Sequence, residues 1–159
     1  TAANVLSISA MTPPWGSVLC HSESHLLNDE STAPEFYTGG ARFVGIGGAD
    51  AKIDPVMLKK MVNQKVGDVH SSQPSAVSIS QVTEVGSVYS LEELRAITHV
   101  SKEAGLLVHM DGARFANALL SLDCTPAQMT WKDIVSFGAT KNGTMAAEAI
   151  VVFNKTLSK

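Results

Sequence analysis

Leu106-Leu107-Val108-His109-Met110-Asp111-Gly112-Ala113-Arg114 is the stretch that decides the fold class, because a mostly apolar run there ends in an acidic residue and a glycine. The apolar part predicts a buried strand, and the residues after it predict a helix to about 121. Before the strand, Ser90 and Glu93 have the spacing of a capping box that begins a helix, and Gly105 is placed to end it. A helix on each side of a short buried strand is typical of an α/β fold.

The same alternation of strand and helix patterns continues along the chain. Helices are predicted at 2–11, 29–37 with an interruption near Pro34, 55–64, 91–104, 113–121 and 126–129, and strands at 18–20, 42–46, 76–83, 106–110, 134–137 and 149–153. Strands joined through helices require crossover connections. We therefore predict an α/β fold with a mostly parallel sheet that is flanked by helices on both faces.

The composition is that of an ordinary globular domain. The 159 residues are 45% hydrophobic and 17% charged, with a net charge of -3. Lys and Arg are scattered, so neither a nucleic acid nor a membrane surface is a predicted partner. Cys20 and Cys124 lack the spacing of a zinc or redox motif. We predict two free thiols, no metal site and a cytoplasmic location.

An acid and a lysine directly follow two of the predicted strands. Asp111 comes after the strand at 106–110, and Lys141 lies in a loop of small residues after the strand at 134–137. Ligands of such sheets bind at the carboxyl ends of the strands, so both groups are expected at one edge. A lysine amine that bonds to an aldehyde and an acid that pairs with a pyridine nitrogen are what pyridoxal phosphate requires. Taken singly, the acid could be a turn residue or helix cap, and the lysine an ordinary surface charge.

Two blocks of sequence carry a resemblance to a known family. His-Met-Asp-Gly-Ala-Arg-Phe-Ala-Asn-Ala at 109–118 and Ser-Phe-Gly-Ala-Thr-Lys-Asn-Gly at 136–143 resemble the low-specificity L-threonine aldolases. Those enzymes belong to the β-eliminating lyase group of fold-type I pyridoxal-phosphate enzymes, which have an aminotransferase-like fold. The resemblance implies that 1–159 form an incomplete large, cofactor-binding domain without the C-terminal small domain. A chain that begins at Thr1 rather than Met is expected to be a piece of a longer protein.

The resemblance implies roles for four residues. Lys141 corresponds to the lysine that bonds to the cofactor, and Asp111 to the acid that pairs with its pyridine nitrogen. Arg114 looks like the arginine that helps to hold the cofactor or the substrate carboxylate, a task that suits the guanidinium fork. His25 looks like the histidine that stacks on the ring and takes the proton of the substrate β-hydroxyl, although a water molecule or a residue outside the chain could be that base. Without the family, His25 and its neighbour His21 would both be taken as polar loop residues.

Further contacts to the cofactor are expected from the first residues and from two loops. Thr1-Ala2-Ala3-Asn4 resembles the end of the family turn that binds the cofactor phosphate at a helix N-terminus. Thr140 is a candidate for a further phosphate contact, and a plain loop threonine explains it about as well. Thr83 and Glu84 resemble a segment that reaches the cofactor ring, and a turn at a strand end explains them equally.

The activity implied by the resemblance is retro-aldol cleavage of β-hydroxy-α-amino acids to glycine and an aldehyde. Threonine, allo-threonine and phenylserine are substrates of this type. The alternatives are β-elimination on an amino acid, or a truncated fragment that does not catalyse a reaction. The expected partners are the small amino-acid substrate and further copies of the chain in a homodimer or homotetramer.

Overall fold

The computed structural model describes residues 1–130 and 132–158. The described residues form seven α-helices: α1 (Ala2–Met11), α2 (His25–Asn28), α3 (Ala33–Thr38), α4 (Pro55–Val62), α5 (Leu91–Glu103), α6 (Phe115–Leu122) and α7 (Pro126–Met129). They also form six strands: β1 (Gly16–His21), β2 (Arg42–Ile46), β3 (Gln73–Ser80), β4 (Leu107–Gly112), β5 (Ile134–Gly138) and β6 (Glu148–Val152). Short 3-10 turns lie at Ala49–Ala51, Thr140–Asn142 and Lys155–Leu157. Among these helices, none has the length and apolar character that crossing a membrane requires.

The strands form one sheet, in the order β2-β1-β3-β4-β5-β6. The strands from β1 to β5 are parallel, and only β6 is antiparallel to its neighbour β5. The predicted mostly parallel sheet is therefore confirmed. Because β3, β4 and β5 lie side by side and run in one direction, their carboxyl ends meet at one edge of the sheet. The register there pairs Ser80 with Asp111 and Asp111 with Ser136.

Both faces of the sheet are covered, as predicted. Leu19 of β1 and Val77 of β3 belong to a large apolar cluster that includes residues of α4, α5 and α6. The residues just before them, Val18 and Ala76, point to the other face and pack with Ile8 of α1. Alternate side chains of a strand point to opposite faces, so a parallel sheet buried on both sides needs apolar residues at successive positions.

Two helices begin with side-chain caps, and one of these is the predicted capping box. At α5, Glu93 N donates to Ser90 Oγ at 3.1 Å and Ser90 N donates to Glu93 Oε2 at 2.6 Å, which completes the capping box. At α4, the Asp54 carboxylate accepts a hydrogen bond from Val56 N at 2.8 Å. These bonds satisfy backbone amides that a helix leaves without partners in its first turn.

The helix predicted at 29–37 is wrong in its first half. Helix α2 has already ended at Asn28, and α3 begins only at Ala33. Ser31 between them has a φ of 55°, which is incompatible with a right-handed helix. Pro34 lies in the first turn of α3, where its missing amide costs no hydrogen bond.

Strand β3 also differs from its prediction at 76–83. It begins at Gln73 and ends at Ser80. The residues after it form a turn in which Gly86 N donates to Thr83 O at 3.0 Å. The β-branched residues of this turn extended the apparent strand pattern beyond its real end.

The two cysteines are free thiols, as predicted. Cys20 lies in β1 inside the molecule, and burial raises the pKa of its thiol to about 11. Since only the thiolate is a good nucleophile, Cys20 is an inert part of the core.

Candidate active site

A cleft of about 210 Å³ lies at the carboxyl ends of β3, β4 and β5. Six of the predicted residues line it, namely Thr1, His25, Glu84, Asp111, Arg114 and Lys141. The other lining residues are Asn4, Ser80, Val82, Ala113, Ser136 and Glu148. Two predicted residues are not part of the cleft wall: Thr140 is exposed and lies next to Lys141 in the chain, and the hydroxyl of Thr83 lies 2.7 Å from Ser87 Oγ in the turn after β3.

Asp111 is held in place by its own turn and by α1. It is the next-to-last residue of β4, and its Oδ1 atom accepts a hydrogen bond from Ala113 N at 3.0 Å. Its Oδ2 atom accepts another from the side-chain amide of Asn4 at 2.8 Å. The turn that explains Asp111 in purely structural terms is thus present, and the same carboxylate also borders the cleft.

A chain of hydrogen bonds connects Asp111 to His25. The Asn4 amide that donates to Asp111 also donates to Glu30 Oε1 at 2.7 Å. The same Glu30 oxygen lies 3.0 Å from His25 Nδ1. The Glu30 side chain is fully buried, whereas the His25 side chain is 35% exposed on the cleft. The imidazole ring is therefore anchored on its buried side and accessible on the other.

The backbone of His25 is held by a second acid. His25 is the first residue of α2, and its amide donates to Glu84 Oε1 at 2.8 Å. Ser80, at the end of β3, donates its hydroxyl to the same oxygen at 2.6 Å. Glu84 therefore joins the start of α2 to the end of β3, which positions His25 beside the edge of the sheet.

Two cationic residues complete the cleft wall. Lys141 lies in the 3-10 turn after β5, and Gly143, with a φ of 81°, ends that turn in a left-handed conformation that suits glycine. Arg114 directly precedes α6. The cleft thus combines an amine and a guanidinium with the carboxylates of Glu84, Asp111 and Glu148, an arrangement suited to a ligand that carries both signs of charge.

The N-terminus of α1 borders the same cleft. Thr1 is the N-cap residue of this helix, and its side chain makes no capping hydrogen bond. The first amides of a helix and its dipole favour an anion. The hydroxyl of Thr1 and the first turn of α1 are therefore available to a phosphate or carboxylate group.

A buried polar network lies beneath Asp111. His109 Nδ1 is 2.9 Å from Ser78 Oγ, and its Nε2 is 2.8 Å from Ser136 Oγ. The hydroxyls of Ser136 and Ser7 are 3.2 Å apart. Burial lowers the pKa of His109 to about 4, so the ring is neutral near pH 7. Strands β3, β4 and β5 are thereby linked to α1 directly below the cleft.

Comparison with known proteins places this chain in a family. The model of the beta-eliminating lyase family matches residues 1–159. The chain belongs to the beta-eliminating lyase family. The match covers strand β4 with Asp111, the turn after β5 with Lys141 and helix α1 with Asn4.

Named relatives agree with this family. The low specificity L-threonine aldolase of Pseudomonas sp. is 44% identical, with 100% of this chain and 46% of that protein covered. The solved threonine aldolase of Leishmania major has a TM-score of 0.89 at 32% identity, covering 97% of this chain and 45% of that one. Cystalysin from Treponema denticola shares the fold, with a TM-score of 0.71 at 15% identity and 99% and 41% coverage. The predicted resemblance to threonine aldolases is confirmed, and the chain spans less than half the length of these relatives.

The sequence alone did not assign a role to several residues in and beside the cleft. Asn4 lies in the quoted stretch at 1–4 and Glu30 follows His25 by five residues, but nothing in their spacing indicates that they contact each other. Ser80 and Ser136 were detectable in principle, because each is a polar residue near the carboxyl end of an apolar strand. His21 has a structural role, with its Nε2 atom 3.2 Å from Gly48 O.

The prediction of no metal site bears on one group of potential metal ligands beside the cleft, found among the described residues. His25, Glu30 and Asp111 each offer a ligand atom, and these atoms lie within 4.8 Å of one another. The amide of Asn4 donates to both carboxylates, so hydrogen bonds already account for the arrangement. The absence of a metal site stays a prediction.

Proposed function

We propose that this chain forms the pyridoxal-phosphate-binding part of an enzyme that cleaves β-hydroxy-α-amino acids to glycine and an aldehyde. The observation that carries the proposal is the presence of Asp111 and Lys141, from the ends of the adjacent strands β4 and β5, in the wall of one cleft. The named relatives support it, since the Pseudomonas and Leishmania proteins are both threonine aldolases. Threonine, allo-threonine and phenylserine are the substrates we expect.

The groups in the cleft suit this cofactor. Asp111 accepts its two described hydrogen bonds from neutral N–H groups, so its negative charge is available to a protonated ring nitrogen. Thr1 and the start of α1 suit the phosphate. Lys141 offers the amine that bonds to the aldehyde, and Arg114 suits a substrate carboxylate. The cystalysin structure, which has the same fold, contains pyridoxal 5'-phosphate.

Each residue then has a separate task in cleavage of the Cα–Cβ bond. When bound, pyridoxal phosphate supplies an electron-accepting ring that stabilises negative charge on the substrate Cα. Asp111 would hold the proton on the ring nitrogen, and Arg114 would orient the substrate through its carboxylate. His25 would lie beside the ring and would take up the β-hydroxyl proton, directly or through a water molecule. Lys141 or water returns a proton to Cα to complete glycine.

The attachment of the cofactor can be mapped chemically. After incubation with pyridoxal phosphate and reduction with borohydride, we expect mass spectrometry to find the adduct on Lys141. The Lys141→Ala variant is expected to lose this adduct, whereas Lys60→Ala, which removes an exposed lysine of α4, keeps it. An adduct on another lysine contradicts the assignment of the site. An adduct that forms only in a longer polypeptide favours the fragment alternative.

The reaction can be identified from its products. Incubation with threonine, allo-threonine and phenylserine is expected to release glycine and the matching aldehyde. Release of ammonia and a keto acid without an aldehyde would instead show β-elimination, which is the second candidate because this chain belongs to the beta-eliminating lyase family. Comparison of the threo and erythro substrates would also give the stereochemical preference.

The assembly and location are proposals of the same kind. We propose that 1–159 are part of the large domain of a cytoplasmic homodimer or homotetramer. Coverage of 46% of the Pseudomonas relative supports a partial domain, and two free cysteines fit a reducing compartment. Light scattering on the purified protein would give the number of chains, and a monomer at all concentrations would contradict the oligomer.

A further inference from the structure

Glu30 is a carboxylate of the site region for which the sequence indicated no role. The residue is 4% exposed, and its Oε2 atom has no hydrogen-bond partner among the described residues. Burying a carboxylate oxygen without a partner costs free energy. Glu30 is nevertheless buried here, and its other oxygen, Oε1, contacts both His25 and Asn4.

The hydrogen bonds determine which atoms carry protons. The side-chain nitrogen of Asn4 can only donate, so Glu30 Oε1 and Asp111 Oδ2, at 2.7 and 2.8 Å from it, are both acceptors. Glu30 Oε1 must then also be the acceptor in its 3.0 Å contact with His25 Nδ1. A neutral His25 ring therefore carries its proton on Nδ1, and Nε2 keeps a free electron pair.

We propose that Glu30 is a positioning residue that holds His25 with its proton on Nδ1, so that Nε2 is the atom that takes up a proton in the cleft. A buried acid that hydrogen-bonds one imidazole nitrogen sets both the tautomer and the orientation of the ring. The importance of this pair for catalysis rests on the proposed function. The tautomer itself follows from the contacts of the chain alone.

Two features strengthen the assignment of this role to Glu30. His25 is held at its backbone amide by Glu84 and at its ring by Glu30, so the partly exposed side chain is restrained at both ends. In addition, the Asn4 amide joins Glu30 to Asp111, which ties the orientation of His25 to the acid that would pair with the cofactor. Movement of any one of these groups would disturb the others.

Nitrogen NMR can read the tautomer directly. Imidazole ¹⁵N chemical shifts and ring ¹H–¹⁵N correlations distinguish a protonated Nδ1 from a protonated Nε2. In the cofactor-free chain at pH 8, we expect His25 to be almost entirely in the Nδ1-protonated form, with its signal identified by its loss in His25→Gln. A wild-type ring with its proton on Nε2 would overturn the proposal.

Two substitutions of Glu30 separate its role from packing. Glu30→Met has a similar length without an acceptor, so the majority of His25 is expected to shift to the Nε2-protonated form. Glu30→Gln keeps a carbonyl acceptor and is expected to retain the Nδ1-protonated form. Asp29→Asn removes the neighbouring exposed charge and should leave the tautomer unchanged.

The outcomes separate this proposal from the proposed function. A tautomer that stays the same in Glu30→Met, or that changes as much in Asp29→Asn, contradicts the role of Glu30. If Glu30→Met does not fold, the wild-type and Glu30→Gln spectra still test the proposal. A proton on Nε2 of His25 in either protein would contradict it. Failure of pyridoxal phosphate to attach to Lys141 would refute the proposed function without altering the NMR result, because the spectra are recorded without cofactor.

Discussion

At the residue scale, His109 makes the free energy of unfolding depend on pH. Its ring is fully buried between Ser78 and Ser136, and burial lowers its pKa to about 4 from the usual 6.5. Above pH 6.5 the ring is neutral in the folded and in the unfolded chain, so the full contribution of the neutral ring to the free energy of unfolding is present. Between pH 6.5 and 4 the unfolded chain takes up the proton first, and folding loses roughly 3 kcal/mol in total. Urea unfolding measured across this range would show the loss.

A matched pair of variants isolates this effect. In His109→Gln the dependence of the unfolding free energy on pH between 6.5 and 4 is expected to be smaller than in the wild type, whatever the stability at pH 7. His99→Gln, at a side chain that is 72% exposed, should keep the wild-type dependence. Equal slopes for wild type and His109→Gln would show that His109 does not control the acid response.

Single residues differed in how well the sequence predicted them. Asp111 and Lys141 could be placed because one lies at the end of a strand and the other in the turn after the next strand, and strand ends are visible in local patterns. Glu30 could not, because its partner Asn4 lies 26 positions away in the chain. Hydrogen bonds between distant residues leave no periodic signal, so their partners are known only once the chain is folded.

At the element scale, the cap of helix α5 is expected to contribute to the free energy of unfolding. Ser90 caps its first turn and the helix buries Leu94 and Ile97. Ser90→Ala removes the hydroxyl acceptor of the capping box and is expected to lower the free energy of unfolding by about 1 kcal/mol. Ser90→Thr retains the acceptor and should lose much less in the same urea titration. Equal losses in the two variants would show that the cap does not stabilise α5.

Elements with strong local signals were predicted well. The caps of α4 and α5 and the apolar runs of β1, β2, β4 and β5 depend on neighbouring residues, and these elements were found where expected. The helix at 29–37 failed because Ser31 adopts a left-handed backbone, which residue type alone does not indicate. In the same way, the end of β3 is decided by a turn after Ser80 that contains β-branched residues.

At the scale of the whole molecule, stability depends on the larger of the two apolar clusters found among residues 1–130 and 132–158. Leu58 of α4 is completely buried in that cluster. Leu58→Ala is expected to reduce the free energy of unfolding by about 3 kcal/mol, because it removes buried methyl groups and leaves a cavity. Leu120→Ala, at a side chain that is 86% exposed, should change it by less than about 0.5 kcal/mol. Similar losses for both variants would contradict this account of the core.

By itself, the sequence determined the order of the strands and of most helices, the mostly parallel sheet and the common edge at which Asp111 and Lys141 lie. These properties follow from short-range periodicity and from the rule that strands joined through helices run parallel. The tertiary structure alone decided that Asn4 bridges Glu30 and Asp111, residues 26 and 107 positions away from it, and so how His25 is oriented. The physical reason is that side-chain hydrogen bonds depend on distances in space, which the folded sheet and α1 create together.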